Sequence, residues 1–258
     1  MNNTIDAYRA EVFRLSRPTT LRWSLAGAVI YGVVVTAVLV ATAADTGSAM
    51  LIPTLEANDG ATAPLVLATS FSSVLVLGLI TPMAAGDLAD GSMRAALLQN
   101  PNRLSVAGGF FAARLVGLTV LVATVFVVSW ATAFVVASGS GLDISAWSTA
   151  DGLEASLTDF VRTMLYVAVW ALLGTVVGIV TRSVAVGLAI GVMWAGPLEN
   201  VLGDDLAVVQ KWAPGLLLQD VLTGSGDFSA AHIGGTLVVY AVAAIALSGV
   251  LLTRRDVV

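Results

Sequence analysis

Side chains able to do covalent or metal chemistry are scarce in this chain. It has no cysteine, so it can build no thiolate metal site, redox pair or disulfide framework. His232 is its only histidine, so a Ser–His triad or a multi-histidine metal centre would rest on a single imidazole, and no metal site is expected. His232 reads instead as an interfacial imidazole. Lys211 is the only lysine and stands in VQKWAP; no G-x-x-x-x-G-K-[ST] stretch occurs, so this chain holds no ATP through a P-loop. What remains is one polar stretch between apolar runs, residues 86–104, GDLADGSMRAALLQNPNRL. Its residue types suit docking. Ser92 can cap a short helix over about 93–99, with Met93, Ala96 and Leu97 on one side and Arg94 exposed, and Asn100-Pro101-Asn102 stops it. Physical chemistry alone leaves a docking helix and an ordinary interfacial loop equally open.

The elements that must position this stretch follow from composition. Of 258 residues, 57% are hydrophobic and 11% charged, against 45–50% and about 25% in soluble domains. Lipid is then the solvent, and the chain reads as one all-α polytopic membrane domain, 1–258. Six apolar runs approach the ~20 residues that a membrane-crossing helix needs. They lie at about 24–43, 64–85, 113–136, 160–181, 183–201 and 231–252. ATAAD at 41–45 resembles a signal-peptide cleavage site, but the apolar run before it is too long and five more follow.

Charge sets the orientation. With both termini on the cytoplasmic side, ten of the twelve basic residues lie inside: Arg9, Arg14, Arg17, Arg22, Arg94, Arg103, Arg114, Arg182, Arg254 and Arg255. Only Arg162 and Lys211 lie outside, together with twelve of the seventeen acidic residues. This is a strong positive-inside pattern. It places 86–104 in the cytoplasm, between the second and third runs, and the long segment 202–230 outside.

Residues 4–17, TIDAYRAEVFRLSR, repeat Ile5, Tyr8, Val12 and Leu15 at helical spacing, capped by Thr4 and stopped by Pro18. An amphipathic helix lying in the inner interface is expected within 1–23; the bland alternative is a disordered tail. The spans hold almost no ionisable group at mid-depth. Glu199 lies roughly 24 Å along its run, near the outer boundary, and Arg114 and Arg162 sit at helix ends, where long side chains snorkel. Ion-driven carriers use buried carboxylates or histidines, so this scarcity argues for energy from elsewhere. GTVVG (Gly174, Gly178) and GLAIG (Gly187, Gly191) permit close helix approach. Such pairs pack helices within one chain or, for Gly187 and Gly191, across a dimer. Between 202 and 230, DLAVVQKW and GLLLQDVL read as amphipathic helical turns.

The stretch GDLADGSMRAALLQNPNRL resembles the permease subunits of ABC-2-type ABC transporters. In that family an acidic residue is followed by Gly, a small hydroxyl residue, a Leu-rich turn and Pro-x-Arg. Asp87 stands here for the family's usual Glu, and Ser92 for its Thr. Weaker likenesses are AEVFRLSRP before the first run, KWAPGLLLQDVLTG before the last and the terminal RRDVV. The resemblance implies that Gly91, Ser92, Arg94, Leu97, Pro101 and Arg103 form a coupling helix, with Asp87 bracing its start. The leader would be the connecting helix, and 202–230 would form re-entrant helices at the outer mouth. It further implies pairing with a second permease copy or paralogue. ATP and Mg would bind on a separate nucleotide-binding subunit, with no cofactor in this chain. The setting would be the plasma (inner) membrane.

The leading expectation is therefore the membrane-spanning subunit of an exporter of an amphipathic drug, lipid or peptide, in contact with membrane lipids and with no nucleic-acid partner. Its rivals are a carrier or channel working alone and a membrane-embedded enzyme, the latter disfavoured by the missing titratable constellation.

Overall fold

The computed structural model describes residues 3–47, 51–70, 72–99, 101–194 and 199–254, and among them the chain is all-α, with no strand. In chain order the helices are α1 (Asn3–Leu15), α2 (Pro18–Thr46), α3 (Leu51–Leu55), α4 (Ala63–Thr69), α5 (Ser73–Ala89), α6 (Ser92–Gln99) and α7 (Arg103–Ser138). A 3-10 turn at Ser145–Ser148 leads to α8 (Ala150–Thr181), α9 (Val184–Met193), α10 (Glu199–Asp205), α11 (Ala207–Trp212), α12 (Pro214–Thr223) and α13 (Ala230–Arg254).

Among the described residues, α2, α7, α8 and α13 are each long and apolar enough to cross a membrane. The runs at 24–43, 113–136, 160–181 and 231–252 fall inside them. The run at 64–85 is divided between α4 and α5, which together make a fifth span if counted as one broken helix. The run at 183–201 starts as α9, which ends at Met193, and α10 starts at Glu199; residues 195–198 between them lie outside the described residues. Asn100, Arg255 and Asp256 also lie outside them.

The chain divides into two compact units, Met1–Ser16 with Phe71–Gly117 and Tyr166–Val258, and Arg17–Ser70 with Leu118–Leu165. In the second unit, small residues set the packing. Ala28, Gly32, Thr36, Val40 and Ala43 recur at helical spacing and form the buried stripe of α2. A Cβ added at Gly32 would stand 3.1 Å from the Val125 carbonyl oxygen of α7. Such close approach replaces the hydrophobic drive that lipid removes. Val40 and Ala43 continue into a core with Leu55, Ala61, Ala133, Ala137 and Trp147. The indole of Trp147 donates to the Leu55 carbonyl at 2.8 Å, so burying it strands no donor.

In the first unit, α5 is held between α8 and α9. Both glycine pairs face it: a Cβ at Gly178 would lie 2.7 Å from the Ala84 Cβ, and one at Gly187 would lie 2.7 Å from the Thr81 Cγ2. The Thr81 hydroxyl donates to the Gly174 carbonyl at 3.2 Å. Gly187 and Gly191 are therefore buried against Thr81 and Leu77 of the same chain. At the N-terminus, α1 starts at Asn3, and the first long helix already starts at Pro18, earlier than the 1–23 leader anticipates. α1 lies against α7: a Cβ at Gly109 would stand 2.8 Å from the Ala7 Cβ.

Candidate functional site

The stretch between α5 and α7 is built by local chemistry. α5 ends at Ala89, and Gly91 turns the chain at φ +78°, a left-handed conformation that costs a side-chain-bearing residue about 1–2 kcal/mol. Asp90 then accepts the Ser92 N–H at 2.9 Å, so Asp90 is the residue that caps α6. That bond holds the Asp90 carboxyl below the ordinary range. The Ser92 hydroxyl turns back and lies 3.3 Å from the Asp87 carboxylate. At the far end, Asn102 accepts the Ser105 N–H at 3.1 Å and opens α7.

Asp87 belongs to a closed ring of four charges. Arg14 donates to Asp87 at 2.9 Å and to Glu11 at 2.7 Å. Arg114 donates to Glu11 at 3.0 Å and closes the ring on the second oxygen of Asp87. Glu11 and Asp87 are 2% exposed and Arg114 is 4% exposed. Two carboxylates and two guanidiniums balance, the condition under which buried charge is tolerable. Burial opposes the charge on Arg14, but the carboxylates of Asp87 and Glu11 outweigh it and raise its pKa above the ordinary value. Phe110 lies beside Arg114, with 5.8 Å from guanidinium carbon to ring centroid. The ring ties α1, the end of α5 and α7 to the base of α6.

The sequence-predicted residues fall into four groups. Asp87, Gly91 and Ser92 shape the base of α6. Met93, Ala96 and Leu97 turn inward on a core of Ala7, Leu88, Val106, Phe110, Ile179 and Leu252. The outward face carries Arg94, Ala95, Leu98 and Gln99, and Leu98 is 83% exposed. Leu97 therefore packs on its own chain, and the exposed apolar residue is its neighbour Leu98. Pro101 is exposed, whereas Arg103 donates to the Leu252 carbonyl near the C-terminus of α13 and is half-buried. Glu11, Arg14 and Arg114 are functional candidates that sequence reasoning missed. Arg114 lies three turns inside α7, because Asn102 starts that helix well before residue 113, so it cannot reach a helix end to snorkel. Arg162 likewise lies within α8, 3.9 Å from Asp159.

A cleft of about 470 Å³ opens beside the ring, lined by α1, α6 and α7, with Asp6, Glu11, Arg14, Ser92, Gln99 and Phe110 among its walls. Its walls mix apolar and charged side chains. Elsewhere in this unit, the His232 ring nitrogen is 2.8 Å from the Lys211 carbonyl, and its ring centroid is 5.0 Å from that of Trp212. Among the described residues no group of three metal-ligating side chains forms.

The helices define an all-α chain that fits a multi-pass membrane protein. No family model matches this chain, and no curated protein matches it.

Proposed function

We propose that this chain is the membrane-spanning permease subunit of an ABC exporter, moving an amphipathic compound with energy from a separate ATP-binding subunit. The observation that carries the reading is α6: a capped, eight-residue helix, braced at its base by a buried ion ring, that presents Arg94 and the 83%-exposed Leu98 outward. An ATPase that closes on nucleotide needs a rigid element to push, and an element tied to three others transmits displacement better than a loose loop. On this reading the docking anchor is Leu98, and the cleft between α1 and α6 receives further partner side chains. On this reading the chain makes six spans, with α4 and α5 as one broken span and α9 opening another, and both termini lie in the cytoplasm at a plasma membrane, supported by the excess of basic residues in the inner segments. α10–α12 then lie toward the outer mouth as re-entrant helices. ATP and Mg bind on the partner, and a second permease copy completes the pathway through a surface other than Gly187 and Gly191.

The test is purification of the full chain in mild detergent from its native cell. A stoichiometric ATP-binding subunit and ATP hydrolysis by the pair are expected. Vanadate-sensitive hydrolysis by this polypeptide alone would overturn the division of labour. A carrier working alone is the second reading, favoured by Glu199, which is 2% exposed and has no cationic partner among the described residues.

A further inference from the structure

Glu199 differs from the two carboxylates of the ion ring. Glu11 and Asp87, equally buried, each meet two guanidiniums. Glu199 meets none among the described residues. One of its oxygens accepts the N–H groups of Gly215 and Leu216 at the start of α12. The other, Oε2, is buried and has no hydrogen-bond partner among the described residues. The approach to α12 is close: a Cβ at Gly215 would stand 2.6 Å from that same Oε2.

The carboxylate is buried within the protein, 2% exposed. The phenol groups of Tyr166 and Tyr240 lie within reach of its charge. Each tyrosine sits near the middle of a helix long enough to cross a membrane, α8 and α13. The Tyr240 hydroxyl donates to the Trp212 carbonyl at 2.8 Å, so its oxygen keeps lone pairs to offer. A buried carboxylate with no cationic partner is costly to keep, and ionisable groups inside a membrane-spanning fold mark pathways for ions or substrates. The missing element is a positive charge. With no second or third ligating side chain beside it, the group does not suit a metal ion. A cation that carries its own N–H donors suits it: one donor for Oε2, the others toward phenol oxygens, with aromatic faces alongside.

We infer that Glu199, with Tyr166 and Tyr240, is a recognition site for the ammonium end of an amphipathic cation, which fixes the substrate class of the proposed transporter. This inference rests on the transport reading but not on the ATP-binding partner. It holds equally for a carrier working alone.

The experiment uses the full chain in phosphatidylcholine nanodiscs and two fluorescent probes, dansylcadaverine and its neutral N-acetyl derivative. Glu199→Gln keeps an acceptor for the Gly215 and Leu216 N–H groups and removes the charge. The wild type is expected to bind dansylcadaverine saturably above empty discs. The variant should lose at least about tenfold in affinity, the scale of one charge-assisted hydrogen bond, with the acetylated probe unaffected by the substitution. Equal affinity of both proteins for dansylcadaverine, or no saturable binding to the wild type, would overturn the inference. A readout without mutation guards against a variant that misfolds. With a carbodiimide, the wild-type Glu199 carboxyl becomes an O-acylisourea, and a dansylcadaverine amine seated beside it should displace the urea and leave a dansyl amide at Glu199, located by peptide mass spectrometry. A carbodiimide adduct at Glu199 with no dansyl amide would assign the site to a proton alone and reject the ammonium. Since no ATP-binding subunit is present, loss of the partner reading leaves this result standing, and failure here leaves the partner reading intact.

Discussion

Removing Arg114 tests the ion ring most sharply. Its guanidinium, 4% exposed, bridges Glu11 and Asp87, which are each 2% exposed. In Arg114→Met the methylenes keep most of the packing, but two buried carboxylates must share Arg14, whose side chain is 32% exposed. Breaking a buried pair by deleting one partner costs about 3–5 kcal/mol, because the orphaned charge stays buried. An exposed pair would cost about 0.2–1 kcal/mol. Adding Asp87→Leu to Arg114→Met leaves Glu11 paired with Arg14 and restores balance. The double variant should therefore be more stable than Arg114→Met alone, with a coupling of about 1–3 kcal/mol in the cycle. Reversible unfolding in mixed micelles with rising denaturing-detergent fraction measures all four proteins. A cost below about 1 kcal/mol for Arg114→Met, or additive effects in the double variant, would refute the reasoning.

The remaining expectations are narrower. Gly91→Val should destabilise the turn into α6 by about 1–2 kcal/mol through backbone strain alone, since nothing lies within 4 Å of an added Cβ; faster native-state proteolysis at α6 checks it. Gly178→Leu should cost about 1–3 kcal/mol or more by overpacking α8 on α5, whereas Gly27→Ala, which meets nothing, should be neutral in the same unfolding assay. At Asp220, burial pushes the carboxyl up, but the Ser225 hydroxyl and the N–H groups of Asp227, Phe228 and Gly226 outweigh it and hold it below the ordinary range. Its stabilisation is thus complete above the unfolded value of about 3.9 and is lost as pH falls through the lower folded value. Melting curves of Asp220→Asn between about pH 7 and 3 should start lower and lack that share of the acid loss. Single cysteines at Ser148 and Ser225 should react with an impermeant thiol reagent in intact cells and one at Asn3 should not; the reverse pattern would invert the topology.

The long helices were legible because each needs only one signal, an uninterrupted apolar run, and α6 because polar stops bracket it. What pairs across the sequence was not. Glu11 and Arg14 lie on α1, Asp87 at the end of α5 and Arg114 within α7, and no periodicity links three segments so far apart. Asp87 alone gave a hint, as an acid at the edge of an apolar run. Helical spacing did group Met93, Ala96 and Leu97 on one face of α6, but not what that face meets, because the core it packs on is made by other elements of the same chain. Counting 1.5 Å per residue to place Glu199 assumes one straight helix from 183 to 201. α9 ends at Met193 and a new helix starts at Glu199, so distance along the chain stops measuring depth.

The central claim, that α6 docks an ATP-binding subunit through its outward face, is tested most directly by Leu98→Asp. Leu98 is 83% exposed, so the substitution leaves the isolated chain folded. Leu97→Asp, placed against the core, should destabilise the chain itself. The measurement is the amount of ATP-binding subunit retained by each purified variant, alongside transport. Leu98→Asp is predicted to yield an intact permease stripped of its partner, or one in which hydrolysis no longer drives transport. Wild-type partner retention and transport in Leu98→Asp would contradict the account and reduce α6 to an ordinary interfacial helix.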